Sequence, residues 1–123
     1  MVRTKSEVVI YHNPSCTTSR KVLGMIRAFG VEPRVVEYLK TPPGRQEMID
    51  LLQRMGLTRR QLLRRRGTPY DALGLDDKTR SDEALIDAIL EHPILMERPV
   101  VVGPRGVRLC RPPERVHEVL PAR

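Results

Sequence analysis

Among the side chains of this sequence able to do chemistry, Cys16 has the most telling surroundings, because it lies in the polar stretch His12-Asn13-Pro14-Ser15-Cys16-Thr17-Thr18-Ser19-Arg20. An apolar run precedes that stretch and a helical pattern follows it, so the thiol is expected between a strand end and a helix start. Free N–H groups at a helix N-terminus carry partial positive charge, which favours a thiolate over a thiol and attracts an oxyanion arriving beside it. An ordinary thiol, with a pKa of about 8.5, is only a few per cent ionised at neutral pH. Lowering that value by about two pH units, worth roughly 2.7 kcal/mol, raises the thiolate fraction about twentyfold. Cys110 reads differently, as a small buried thiol on an apolar strand. The positions after Cys16 are Thr17, Thr18 and Ser19, so no CxxC exists and an external thiol must resolve any intermediate. His12, His92 and His117 are scattered and lack the paired spacing of a metal site, so no metal is predicted.

The elements that must position Cys16 follow from patterning. Residues 8–12 are apolar and partly β-branched and end at Asn13-Pro14, which predicts a strand and a turn. From Ser19 onward, Val22, Leu23, Met25, Ile26 and Phe29 recur at helical spacing up to Gly30. Residues 33–38 predict a second strand, parallel to the first because the crossover is long. After Thr41-Pro42-Pro43-Gly44, a helix is expected to carry Met48, Leu51, Leu52 and Met55. Thr58 is the expected cap of a basic helix over residues 59–66, mostly a solvated face. Ser81 is placed to cap a helix with Leu85, Ile86, Ile89 and Leu90. Residues 99–110 predict a hairpin turning at Gly103-Pro104-Arg105-Gly106, and Pro112-Pro113 opens a last helix with Val116, Val119 and Leu120. The order is βαβ, helical block, ββα. It predicts a single α/β domain over residues 1–123, with a four-stranded mixed sheet of thioredoxin-like arrangement and a helical insertion at about 45–92. A few loose residues are expected at either end.

Composition narrows the function classes. The formal charge of +7 and 22 basic residues suit an anionic partner. With 3% aromatic residues and no Trp, base-stacking surfaces are not expected, and the run at 59–66 contains no aromatic residue, so no nucleic acid is predicted as partner. No apolar stretch approaches the roughly 20 residues of a bilayer span, and the N-terminal residues lack the pattern of a secretory leader, so a cytoplasmic protein with no membrane association is expected. Two cysteines are too few for a secreted disulfide framework.

The stretches HNPSCTTSR at 12–20, YLKTPP at 38–43, LLRRRGTPY at 62–70, HPILMERPVVV at 92–102 and RLCRPPE at 108–114 together resemble the glutaredoxin-coupled arsenate reductases. The likeness runs over nearly the whole length, in order and with compatible spacing. It implies a thioredoxin-like (glutaredoxin-like) fold that reduces arsenate to arsenite, with no bound cofactor, glutathione as co-substrate and glutaredoxin as partner. Cys16 matches the family's nucleophile. Arg64, Arg98 and Arg111 match the three arginines that surround the oxyanion there, and Pro99, after Arg98, is expected to be cis. Arginine suits that task, since its planar fork of donors is always charged. By residue type alone, Arg64 is one of three adjacent arginines and nothing singles it out. Arg98 stands out because it lies between apolar segments, where an unpaired charge is costly. His12 and Ser19 belong to the same loop, where they support the thiolate by charge and hydrogen bonding, or simply end a strand and cap a helix. Thr17 and Arg20 are counted with the substrate-binding set. Members of this family usually have Gly directly after the cysteine, and Thr17 adds bulk and a hydroxyl there. Regulators of this fold that bind RNA polymerase typically carry CxxC, absent here.

Overall fold

The computed structural model describes residues 8–122; the ends expected to be loose fall at 1–7 and 123, outside the described residues, as do the first seven of the residues 1–13 read for a leader. Four short strands are built from the apolar, β-branched runs: Val9–His12 (β1), Arg34–Glu37 (β2), Val100–Gly103 (β3) and Gly106–Leu109 (β4). They form one mixed sheet in the order β2-β1-β3-β4. β1 pairs in parallel with β2 and antiparallel with β3, and β3 pairs antiparallel with β4. Every residue of β1 is buried, as the central strand of a covered sheet must be. The βαβ and ββα halves thus share one sheet, in the thioredoxin-like arrangement.

By packing, the described residues divide into two compact units, 8–41 with 98–122 in one and 42–97 in the other. In the first, the helix Thr17–Ala28 (α1) returns the chain from β1 to β2. Its Val22 and Ile26 share one cluster with Ile10 and Val101 of the sheet and with Val8 just before β1, and Val116, Val119 and Leu120 complete it. Expected to begin at Ser19, α1 in fact begins two residues earlier. The Asn13 to Cys16 turn closes through Cys16 N–H to the Asn13 carbonyl (3.0 Å), and Arg20 N–H already donates to the Cys16 carbonyl (3.0 Å). The last helix, Pro113–Glu118, is a 3₁₀ helix. Gly103 ends β3 directly against it, since a Cβ there would lie 2.1 Å from the Val119 carbonyl oxygen.

In the second unit, Arg45–Met55 (α2), Arg59–Leu62 (α3) and Asp82–Glu91 (α4) bury Met48, Leu51, Leu52, Leu62, Leu85, Ile86 and Ile89. Thr58 caps α3 through a capping box with Gln61, and the Ser81 hydroxyl accepts from Ala84 N–H. The basic helix expected over 59–66 is a single turn. Leu63 leaves it in extended conformation and bridges Met96, while Arg64 N–H donates to the Leu95 carbonyl (2.7 Å) and Glu97 N–H to that of Leu62 (2.7 Å). Its arginines divide: Arg65 and Arg66 are exposed, as expected of a solvated face, while Arg59, Arg60 and Arg64 are half-buried. Arg60 donates to the carbonyls of Leu75 (2.7 Å) and Asp77 (2.6 Å), and Arg65 pairs with Asp71 (2.5 Å).

Candidate active site

Parallel pairing of β1 with β2 and antiparallel pairing with β3 bring the loop after His12 and the segment before Val100 to the same end of the sheet. The loop is shaped by its own polar atoms. Asn13 Oδ1 accepts from Ser15 N–H (2.9 Å), and Arg20 Nη1 donates to the Pro14 carbonyl (2.8 Å) while Nη2 reaches Thr17 Oγ1 (3.4 Å). Cys16 is then the N-cap of α1, in extended conformation. No side-chain hydrogen bond of the ordinary capping kind closes on the first turn; the N–H groups directed at the sulfur are those of Ser19 and Thr18.

The electrostatics of that sulfur are a contest. Burial raises the thiol pKa, and it is outweighed by the Ser19 N–H, by hydrogen bonding and charge from the Arg98 guanidinium, and by the Thr18 N–H. The net result holds Cys16 below an ordinary thiol, so the anion is favoured. Cys16 is half-buried and Cys110 fully so. Burial, the largest influence, pushes the Cys110 thiol up to about 12, which leaves it a neutral packing group.

His12 and Ser19 are both buried, and Nδ1 of His12 lies 2.6 Å from Ser19 Oγ, which also accepts the Asn13 N–H (3.1 Å). A Ser19 hydroxyl that donates to Nδ1 and accepts from Asn13 satisfies all three groups. Burial lowers the His12 pKa most, with Arg27 and Arg20 acting in the same direction and Glu37 opposing. The imidazole is therefore neutral at pH 7. His12 thus brings no positive charge to the loop, and its hydrogen bond is to Ser19 Oγ. Ser19 lies inside α1 and is not its cap; its side chain ties the helix to the strand end while its backbone N–H faces the thiol.

Arg98 is 9% exposed, and the Arg98–Pro99 peptide bond is cis. Arg111–Pro112 is cis as well, which nothing in the sequence pattern announced. The two segments are tied together where the hairpin opens, since Cys110 N–H donates to the Pro99 carbonyl (2.9 Å) and Arg111 Nη1 to that of Arg98 (2.9 Å). Cys16, His12, Thr17, Ser19, Arg20, Arg98 and Arg111 thus all belong to the first unit. Arg64 belongs to the second, where Nη1 pairs with Glu97 (2.9 Å) and Nε donates to the Arg66 carbonyl (3.1 Å). Asn13 and Thr18 were not singled out from sequence, although Asn before Pro in a loop is a recognisable Asx-turn signal. Among the described residues, no group of three or more His, Cys, Asp or Glu is gathered to hold a metal ion, and no helix is long and apolar enough to cross a membrane.

Comparison with known proteins agrees with this geometry. The chain is 60% identical over 114 residues to an arsenate reductase of Rhizobium meliloti (strain 1021), covering 93% of this chain and 81% of that protein. It is 53% identical over 116 residues to an arsenate reductase of Escherichia coli (strain K12), covering 94% and 82%. Among solved structures, the arsenate reductase from Vibrio cholerae superposes with a TM-score of 0.87 at 45% identity, over 92% of this chain and 97% of that one. Residues 11–119 match the ArsC family, and the chain belongs to that family.

Proposed function

We propose that this protein is a cytoplasmic arsenate reductase in which Cys16 is the nucleophile and thiols, glutathione and then glutaredoxin, supply the electrons without a bound cofactor. The observation that carries the reading is the state of Cys16, a half-buried thiol at the start of α1 whose anion is favoured by two backbone N–H groups and the Arg98 guanidinium. The names of the relatives described above support arsenate as the substrate. Arg98 and Arg111 would hold the oxyanion's oxygens. Arg64 joins them through the family resemblance alone. Thr17 and Arg20, on the loop around the thiol, complete the substrate-binding set, while His12 and Ser19 keep the loop in place by their buried hydrogen bond.

The electron balance then runs through sulfur. The Cys16 thiolate attacks arsenic(V), an As–S bond forms, and one arsenate oxygen leaves as water after taking protons. Glutathione displaces a second oxygen in the same way, giving arsenic bonded to two sulfurs. A glutaredoxin thiol attacks the glutathione sulfur, forming a mixed disulfide; the electron pair of the broken As–S bond stays on arsenic, now arsenic(III). Water releases arsenite and returns the Cys16 thiol. Two thiols become one disulfide and arsenic gains two electrons. With only Cys16 accessible and Cys110 sealed, the chain has no second thiol to offer in that exchange.

The test is arsenate reduction measured with glutathione and glutaredoxin, beside a control with thioredoxin only. Cys16→Ser is expected to abolish turnover while still binding arsenate weakly. Substantial turnover by that variant would sink the mechanism, and activity with thioredoxin alone would replace the donor while leaving the nucleophile.

A further inference from the structure

Positive charge is unevenly shared along the chain. Residues 42–97 hold nine basic and ten acidic side chains, whereas residues 8–41 and 98–122 hold ten basic and four acidic. In α1 itself there are three basic residues and no acidic one. Thr17, Arg20, Lys21 and Gly24 recur at helical spacing and are all exposed, so they share the solvent side of the helix that Cys16 caps. Arg27 further along is paired with Glu32. No carboxylate among the described residues pairs with Arg20 or Lys21.

Gly24 on this side is unexplained by the protein's own packing. It sits in the middle of a twelve-residue helix, where glycine is the poorest helix former after proline. A Cβ built on it meets nothing within 4 Å, so neither backbone conformation nor crowding calls for it. A bare, exposed helix position beside two uncompensated cations is what a flat approach by another molecule's surface requires.

We infer that the Thr17, Arg20, Lys21 and Gly24 side of α1 is the docking face for the protein thiol donor, and that the donor presents carboxylates around its reactive thiol. This rests on the proposed reductase reading, in which a protein thiol must come to the sulfur that α1 carries. Charge complementarity of this kind guides encounter and register more than it deepens affinity. Lys21 and Gly24 lie outside the proposed arsenate-binding set.

The experiment compares wild type with Lys21→Glu, Gly24→Glu and the double variant, in arsenate reduction with glutaredoxin and glutathione. KM for glutaredoxin is expected to rise about tenfold in the double variant at low ionic strength. The difference should vanish toward 1 M salt, where screening leaves a range of about 3 Å. KM for arsenate and the rate of Cys16 alkylation stay at wild-type values, which also shows that the variants are folded. Direct binding of alkylated glutaredoxin to wild type and double variant should show the same loss. An unchanged KM for glutaredoxin, a loss insensitive to salt, or a rise in KM for glutathione or arsenate instead would overturn the docking face. If wild type reduces no arsenate, the proposed function fails, and the binding measurement alone decides whether the face exists.

Discussion

Burial and charge act on the Cys16 sulfur in opposite directions, and the side that wins decides whether a nucleophile exists. Burial is the largest single influence and favours the neutral thiol; two N–H groups and one guanidinium together overcome it. Arg98 is the only one of these that a substitution can remove without touching backbone. Arg98→Ala should raise the midpoint of the alkylation-rate profile of Cys16. A higher midpoint leaves less thiolate at pH 7, so the rate at neutral pH falls several-fold while the plateau at alkaline pH is retained. Arg98→Lys keeps the charge and should fall between. A midpoint in Arg98→Ala equal to wild type would mean that the helix start alone sets the ionisation. His12, neutral and bonded to Ser19, belongs to the scaffold of this loop and adds no positive charge to it.

At the scale of elements, the sharpest constraint is the close approach of β3 to the C-terminal 3₁₀ helix. With the Val119 carbonyl oxygen 2.1 Å from where a Cβ would be, Gly103→Ala cannot be accommodated without moving backbone. A loss of about 2 to 4 kcal/mol in denaturant unfolding is expected; a loss under about 0.5 kcal/mol would show that the helix yields freely. From sequence, Gly103 read only as the start of a hairpin turn, because its neighbour Val119 lies sixteen residues on. The same distinction separates the rest of what the sequence disclosed from what it hid. Strands and amphipathic helices were legible because their signals are local, in alternating or helical spacing of residues such as Ile10, Val22 and Ile86. The start of α1 was hidden because Thr17 and Thr18 are mediocre helix formers and cysteine is not among the preferred caps. The end of α3 was hidden because it is imposed by pairing of Leu63 with Met96, thirty-three residues away. In the site, the loop position disclosed Cys16, whereas the contact of Arg98 with it depends on β1 lying beside β3. No local pattern carries that.

For the molecule as a whole, Cys110 ties stability to alkaline pH. Its thiol is held at about 12 in the folded state by burial and returns to an ordinary value of about 8.5 when the chain unfolds. Between those values the unfolded state binds fewer protons than the folded one, so stability falls as pH rises. This contribution is intact below about pH 8.5 and drains away at up to about 1.4 kcal/mol per pH unit toward pH 12. Cys110→Ala, although less stable at pH 7, should show a correspondingly shallower loss in unfolding measured between pH 9 and 11. Equal slopes would mean that the sulfur is not sealed from solvent. Connectivity has a consequence of its own. Residues 42–97 form a unit from one unbroken stretch of chain, whereas the first unit needs both flanks of that stretch. On a ribosome, then, the middle of the chain can fold while β1 still waits for β3, its partner some ninety residues later. The reactive loop therefore gains its arginine only after residues 42–97 have been made, so a nascent chain stalled before residue 98 carries the cysteine without the guanidinium that favours its anion.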